Sequence, residues 1–330
     1  MAVGRRVSRG GGPVSPSSAA SCDSPKGETF MVDLMPSQEL EHVRCTGEKE
    51  LTKEFDAIHK QLSDRGDWSQ RMTALKRLQA IVMGSAQVRR FVPLAMRLRE
   101  PLVAQVQDLR SAIVREACIV LFLLVHALGA DFEPFAIQTL PALLKITFVT
   151  IQVIAESGYL CARAVIRECR TARVLAIVLE QLSSKNAVQR WRCTQLLLLA
   201  LQSFPVAILE KHADGLEAAI RQTLDDARED VRAYSRRCFW AFKESFEERG
   251  ARLHARLDAS KQRLLDSDRP TAPARLTDAE LEAEQCTPCR ARDMDRIGST
   301  ASTPTAAAGA PESMPGSPAV ADGAGGSIGR

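Results

Sequence analysis

An arginine returns at long, similar intervals through the middle of the chain, and this recurrence constrains the fold more than any other feature. Arg71, Arg115, Arg163, Arg190 and Arg232 stand 44, 48, 27 and 42 residues apart. Each falls early in a segment with helical spacing of apolar residues. All but Arg163 are followed three positions on by a small residue: Ala74, Cys118, Cys193 and Ser235. The long intervals match the period of about 40–47 residues that marks HEAT-type helix pairs. One such pair cannot bury its apolar face alone, so successive pairs must stack into a solenoid.

The local pattern agrees. Ile113, Ala117, Leu121, Leu124 and Leu128 recur at helix-face intervals, as do Val231, Tyr234, Cys238, Phe242 and Phe246. No segment sustains a two-residue alternation. Breakers at Gly66, Gly84, Pro93, Gly129, Pro134, Gly158 and Pro205 divide the pattern into about eleven helices. The last, from Arg252 to Leu265, carries Leu253, Leu257 and Leu264 on one face and is otherwise polar, as a terminal cap should be. The expected fold is all-α: a solenoid of about five HEAT repeats plus a C-terminal capping helix.

The apolar residues concentrate between Leu51 and Leu265. Residues 1–45 and 269–330 are rich in Ser, Pro, Gly, Ala and Thr and have little to bury, so both read as disordered tails around one domain at 46–268. Only 5% of residues are aromatic, which favours helix over sheet. Nine cysteines without a secretory leader read as reduced thiols. Cys118, Cys161, Cys169, Cys193 and Cys238 sit in apolar helical surroundings as small core side chains. Cys286 and Cys289 form a lone CxxC with no second pair or nearby His, and so do not complete a zinc site. The apolar run Cys118–Val125 is too short to span a bilayer. Arg5, Arg6 and Arg9 faintly suggest an import sequence, but Gly10 to Pro13 would spoil its amphipathic helix.

No catalytic constellation emerges. GxGxxG, Walker, HExxH and GxSxG patterns are absent, and the five histidines are scattered. Asp225 and Asp226 read as caps at a helix start, interacting with its dipole. The expectation is a non-enzymatic protein with no cofactor and no metal.

The turns inside the pairs are more informative, because a solenoid places all of them on one edge. By the helix divisions above, that edge carries Asp67-Trp68, then Leu109-Arg110-Ser111, Ser157-Gly158-Tyr159, Ser184-Lys185-Asn186 and Ala227-Arg228-Glu229. A Trp at one end and cations further along resemble a binding strip, since Trp and Arg are enriched at interface hot spots. The same Trp could instead pack across its neighbouring turn. The recurrent arginines read as structural, each pairing with an Asp of an adjacent turn such as Asp108 or Asp225. Residues 48–268 hold 33 Lys+Arg against 27 Asp+Glu, a net of +6. That mild excess suits an acidic protein surface. Interleaved acids and the lack of a recognised motif argue against nucleic acid.

Five stretches, taken in order, resemble the TOG domain of the CLASP family. They are Asp67 to Leu78; Leu109 to Cys118; Leu140 to Lys145 with Val153 to Gly158; Arg236 to Phe242; and Leu257 to Gln262. The resemblance spans about residues 46–266. It implies a paddle-shaped solenoid that docks on tubulin through its turn edge, with Trp68 packing against tubulin. Arg71, Arg110, Ser111, Lys185 and Arg228 are implied as companion contacts. It further implies cytoplasmic microtubules, possibly the spindle among them, as the setting, and other microtubule-associated proteins as further partners, with no membrane or nucleic acid. A HEAT scaffold holding a non-tubulin partner is the alternative.

Overall fold

Residues 34–36 and 40–275 are described by the computed structural model, all in the first of two units, Met1–Ala291. The helices in chain order are α1 (Glu48–Ser63), α2 (Trp68–Ser85), α3 (Phe91–Met96), α4 (Arg99–Val106) and α5 (Ser111–Leu128). A 3-10 turn (Gly129–Phe132) leads to α6 (Glu133–Ile146), α7 (Gln152–Glu168), α8 (Ala172–Gln181) and α9 (Ala187–Ser203). Then follow α10 (Val206–Glu210), α11 (Ala213–Leu224), α12 (Glu229–Ser245), α13 (Glu247–Ala255) and α14 (Ala259–Ser267).

Local chemistry sets many of the boundaries. Asp67, Thr171, Asn186 and Asp258 each accept backbone N–H groups at the start of a helix, worth about 1 kcal/mol apiece. Gly129, at φ 52°, closes α5 in a conformation that side chains with a Cβ resist.

Five antiparallel pairs result: α1/α2, α4/α5, α6/α7, α8/α9 and α11/α12. Their second helices α2, α5, α7, α9 and α12 pack side by side as one layer, and α1, α4, α6, α8 and α11 as the other. The core lies between the layers. The apolar face of α5 read from the sequence (Ile113, Ala117, Leu121, Leu124, Leu128) is buried throughout. By length and composition α5 begins a stretch apolar enough to cross a membrane. It is instead the central helix of its layer, flanked by α2 and α7 and backed by α4.

Several expectations are corrected. Fourteen α-helices, not eleven, occur among the described residues, because α3 and α10 fill connections between pairs and the cap is two helices. Asp258 accepts the N–H of Lys261 and starts α14 afresh. The new register buries Leu265 and leaves Leu264 exposed. Gly84 and Gly158 do not break helices. At Gly158, inside α7, a Cβ would lie 2.5 Å from Ile146 Cγ1 and 3.2 Å from the Leu143 carbonyl. Glycine there lets α7 approach α6 closely. Ser157 and Tyr159 are consequently buried, and the turn of the third pair lies at residues 147–151 instead.

The packed chain also reaches past 46–268. Val43 N donates to Ala80 O at 2.9 Å, and Ser85 Oγ bridges Val43 O and Cys45 N at 2.7 and 2.8 Å. Gly84 passes so close beneath this strap that a Cβ would collide with the Val43 carbonyl. Leu34 is only 2% exposed. At the other end the Arg275 guanidinium donates to Leu201 O (2.9 Å), Phe204 O (2.6 Å) and Ser245 Oγ (3.0 Å). The Cys286/Cys289 pair, the N-terminal arginines and most of both tails lie outside the described residues.

Candidate functional turn edge

Each of the five intra-pair turns is built by a small polar device that leaves particular side chains facing outward. In the first, Asp64 Oδ1 accepts the N–H of Gly66 at 2.8 Å. Asp67 then caps α2 by accepting from Ser69 N (2.8 Å) and Gln70 N (3.3 Å). Trp68 is therefore the first residue of α2, and it is 48% exposed, which leaves half its surface available to a partner.

The second and fifth turns share one design. Asp108 Oδ1 accepts Arg110 N at 2.8 Å, while Oδ2 takes Arg71 Nη1 at 2.6 Å. Asp226 Oδ1 accepts Arg228 N at 2.9 Å, while its two oxygens take Arg190 Nε and Nη2 at 2.6 and 3.0 Å. In each case an arginine from the preceding pair locks an Asx turn. The arginine two residues on becomes the residue that precedes the helix. The sequence alignment of Asp108 with Asp225 is thus off by one: Asp226 is the equivalent, and Asp225 pairs with Lys261. Burial pushes the Asp108 carboxyl up, but the Arg71 and Arg110 hydrogen bonds outweigh it and hold the group below its ordinary value. The Arg190 hydrogen bond chiefly holds Asp226 low.

Arg71 accordingly belongs to the interior. It is 4% exposed and donates to both Asp108 and Gln105 at 2.6 Å, so its role as a surface contact is corrected to a turn lock. Arg163 is no member of the ladder either, since it lies in the second half of α7 beside Tyr159. Glu156, one turn into α7, stands at the ladder's place in the third pair and is paired with Arg192.

The remaining site residues fall on the edge. Arg110 is exposed, with Nη1 3.5 Å from Asp108 Oδ1. Ser111 is half-buried as the first residue of α5. In the fourth turn Ser184 Oγ accepts Asn186 N (3.2 Å) and donates to Gln189 Oε1 (2.6 Å), and Asn186 caps α9. Lys185 projects exposed from that loop and makes no ion pair among the described residues. Arg228 donates to Asp230 Oδ2 at 2.8 Å, and its guanidinium lies 5.0 Å from the ring centre of Trp191. Arg192 approaches the same ring at 4.4 Å.

Two exposed residues escaped the sequence reading: Leu109 at the tip of turn 2 and Ile151, which precedes α7 in turn 3. Leu109 was legible as part of its turn but not as its most exposed side chain. Ile151 was hidden by the misplaced third turn, although the run Val149-Thr150-Ile151, disfavouring helix, was the available signal.

Residues 51–266 match the family described as CLASP N terminal. The chain is 37% identical over 232 residues to the CLIP-associated protein of Arabidopsis thaliana, covering 69% of this chain and 16% of that one. It thus spans about a sixth of the length of the curated relatives it matches. Among solved structures it resembles a chain from work on microtubule plus-end tracking by XMAP215, CLIP-170 and EB1. The TM-score is 0.58 at 18% identity, covering 72% of this chain and 97% of that one. It also resembles the TOG domain of Zyg9 from C. elegans, with a TM-score of 0.54 at 14% identity over 69% and 89% of the two chains. The fold is therefore that of a TOG-type HEAT solenoid, and the profile match places the chain in the CLASP N-terminal family.

Proposed function

We propose that this protein binds tubulin through its turn edge and regulates microtubule stability or dynamics as a non-enzymatic component of the cytoplasmic cytoskeleton. One observation carries the proposal. Five turns on one edge present a half-exposed Trp68 at one end and the cations Arg110, Lys185 and Arg228 along the rest. A large aromatic anchor supplies contact area at low entropic cost, and outward cations steer association with an acidic surface such as tubulin's. Membership of the CLASP N-terminal family supports tubulin as that surface. The test is co-sedimentation of the full chain with microtubules, together with gel filtration against free tubulin, for wild type and Trp68→Glu. Binding by wild type that the variant loses, with unchanged circular dichroism, is the expected result. Wild type that binds neither form overturns the proposal and leaves a scaffold for another protein.

A further inference from the structure

Six large apolar side chains are substantially exposed among the described residues: Met35, Trp68, Leu109, Ile151, Val206 and Leu264. Three of them occupy the first three turns of one edge, one per turn. Trp68 belongs to the reading above; Leu109 and Ile151 do not follow from it, and neither is required by the fold. Leu109 is the middle residue of an Asx turn whose counterpart in turn 5 is Ala227, so the turn geometry is served without a leucine. Yet Leu109 is 92% exposed. Ile151 precedes α7 with extended backbone and makes no side-chain cap, at a position where Ser, Thr, Asn or Asp is strongly preferred. The first and fourth turns use Asp67 and Asn186 there. Two consecutive turns thus break a local preference in the same direction, towards exposed apolar surface. Departures of that kind concentrate where function demands them.

Resting on the tubulin reading, we infer that Leu109 and Ile151 form an apolar docking strip that closes against an apolar hollow on tubulin, and that this strip sets the lifetime of the complex. The surroundings fit such a partner. Residues 147–151 carry no charge, while Arg110 on one side and Lys185 on the other supply cations for carboxylates bordering the hollow. Beside Leu109 the edge is indented by a recess of ≈620 Å³, lined by Arg65, Arg71, Val103, Asp108 and Arg110 among others, so partner atoms can surround the leucine on more than one side. Fully burying one leucine side chain corresponds to an affinity gain of roughly ten- to a hundred-fold. Apolar contact is not screened by salt, whereas an exposed cation acts mainly on the association rate at low ionic strength.

The experiment measures association and dissociation rates of the full chain on immobilised tubulin at low and moderate salt. The proteins are wild type, Leu109→Ser, Leu109→Met, Ile151→Ser, the double Leu109→Ser/Ile151→Ser, and Lys185→Ala as comparator. The serine variants should dissociate about ten-fold faster at both salts, with unchanged unfolding midpoints because the side chains already face solvent. Leu109→Met should behave as wild type, and Lys185→Ala should differ only at low salt. A double serine variant that dissociates like wild type overturns the inference and leaves the tubulin reading standing. Wild type that fails to bind overturns both. Self-association of wild type that the serine variants lose, with tubulin binding intact, assigns the strip to a second copy of the chain and overturns it too.

Discussion

Arg71 and Arg190 carry opposite lessons from those of Arg110 and Arg228, although all four are arginines beside an aspartate. The first two are shielded and hydrogen-bonded to carboxylates from the next pair; the second two stand on the surface those carboxylates organise. Removing one member of a shielded pair strands the other, which costs about 3–5 kcal/mol. Arg71→Ala should therefore lower stability by about 3 kcal/mol in urea unfolding, whereas Lys185→Ala should stay within about 0.5 kcal/mol of wild type. Asp108 and Asp226 are both held below their ordinary value in the folded protein. Their contribution is thus complete above the unfolded carboxyl range and is lost as pH falls through the folded values. The thermal midpoint should be insensitive to these two groups down to about pH 4 and then fall; Asp226→Asn should flatten that acid limb. Trp191 belongs to the same scale. If its ring positions Arg228, Trp191→Ala should weaken tubulin binding a few-fold, by about the amount Arg228→Ala does, and add nothing in the double variant. The spacing of the ladder was readable from the sequence. Its partners were not, because a one-residue shift in an Asx turn decides whether Asp225 or Asp226 meets the arginine.

Among elements, α7 shows why glycine misleads. A glycine that breaks a helix and one that lets two helices touch look alike in a sequence. Gly158→Ala would gain about 1 kcal/mol of helix propensity, but its Cβ would press on Ile146 and the Leu143 carbonyl. Overpacking of that kind costs about 1–3 kcal/mol. Backbone on one side of the contact cannot rotate away, so a net loss of stability is expected, measurable by denaturant unfolding. The misplaced third turn followed directly from this glycine, and with it went Ile151. The long second helices, by contrast, were legible throughout, because α5 and α12 each repeat an apolar face over more than four turns. The short α3 and α10 carry too few residues to show any period.

At the scale of the whole molecule, five stacked pairs were legible because the repeat period is longer than any local accident of composition. The straps at either end were not. Extended segments rich in polar residues resemble tails, and only three-dimensional contact tells them apart. Their effect should be measurable. A chain cut to residues 46–268 loses the Val43 ladder and leaves the Leu201 and Phe204 carbonyls without Arg275. It should be less stable than one covering 34–275 by on the order of 3 kcal/mol, since hydrogen bonds from a charged group contribute more than neutral ones. The same straps bear on ancestry. A solenoid with open ends can grow when a gene segment encoding one pair is duplicated, each new pair resting on the last. Here the outer side of α2 lies under the strap that crosses Gly84, and the far side of α12 is occupied by α13, α14 and residues 269–275. A sixth pair would have to displace a fitted lid at either end. Duplication in such a lineage is steered towards copying the entire five-pair body, giving separate beads joined by linker rather than a longer rod.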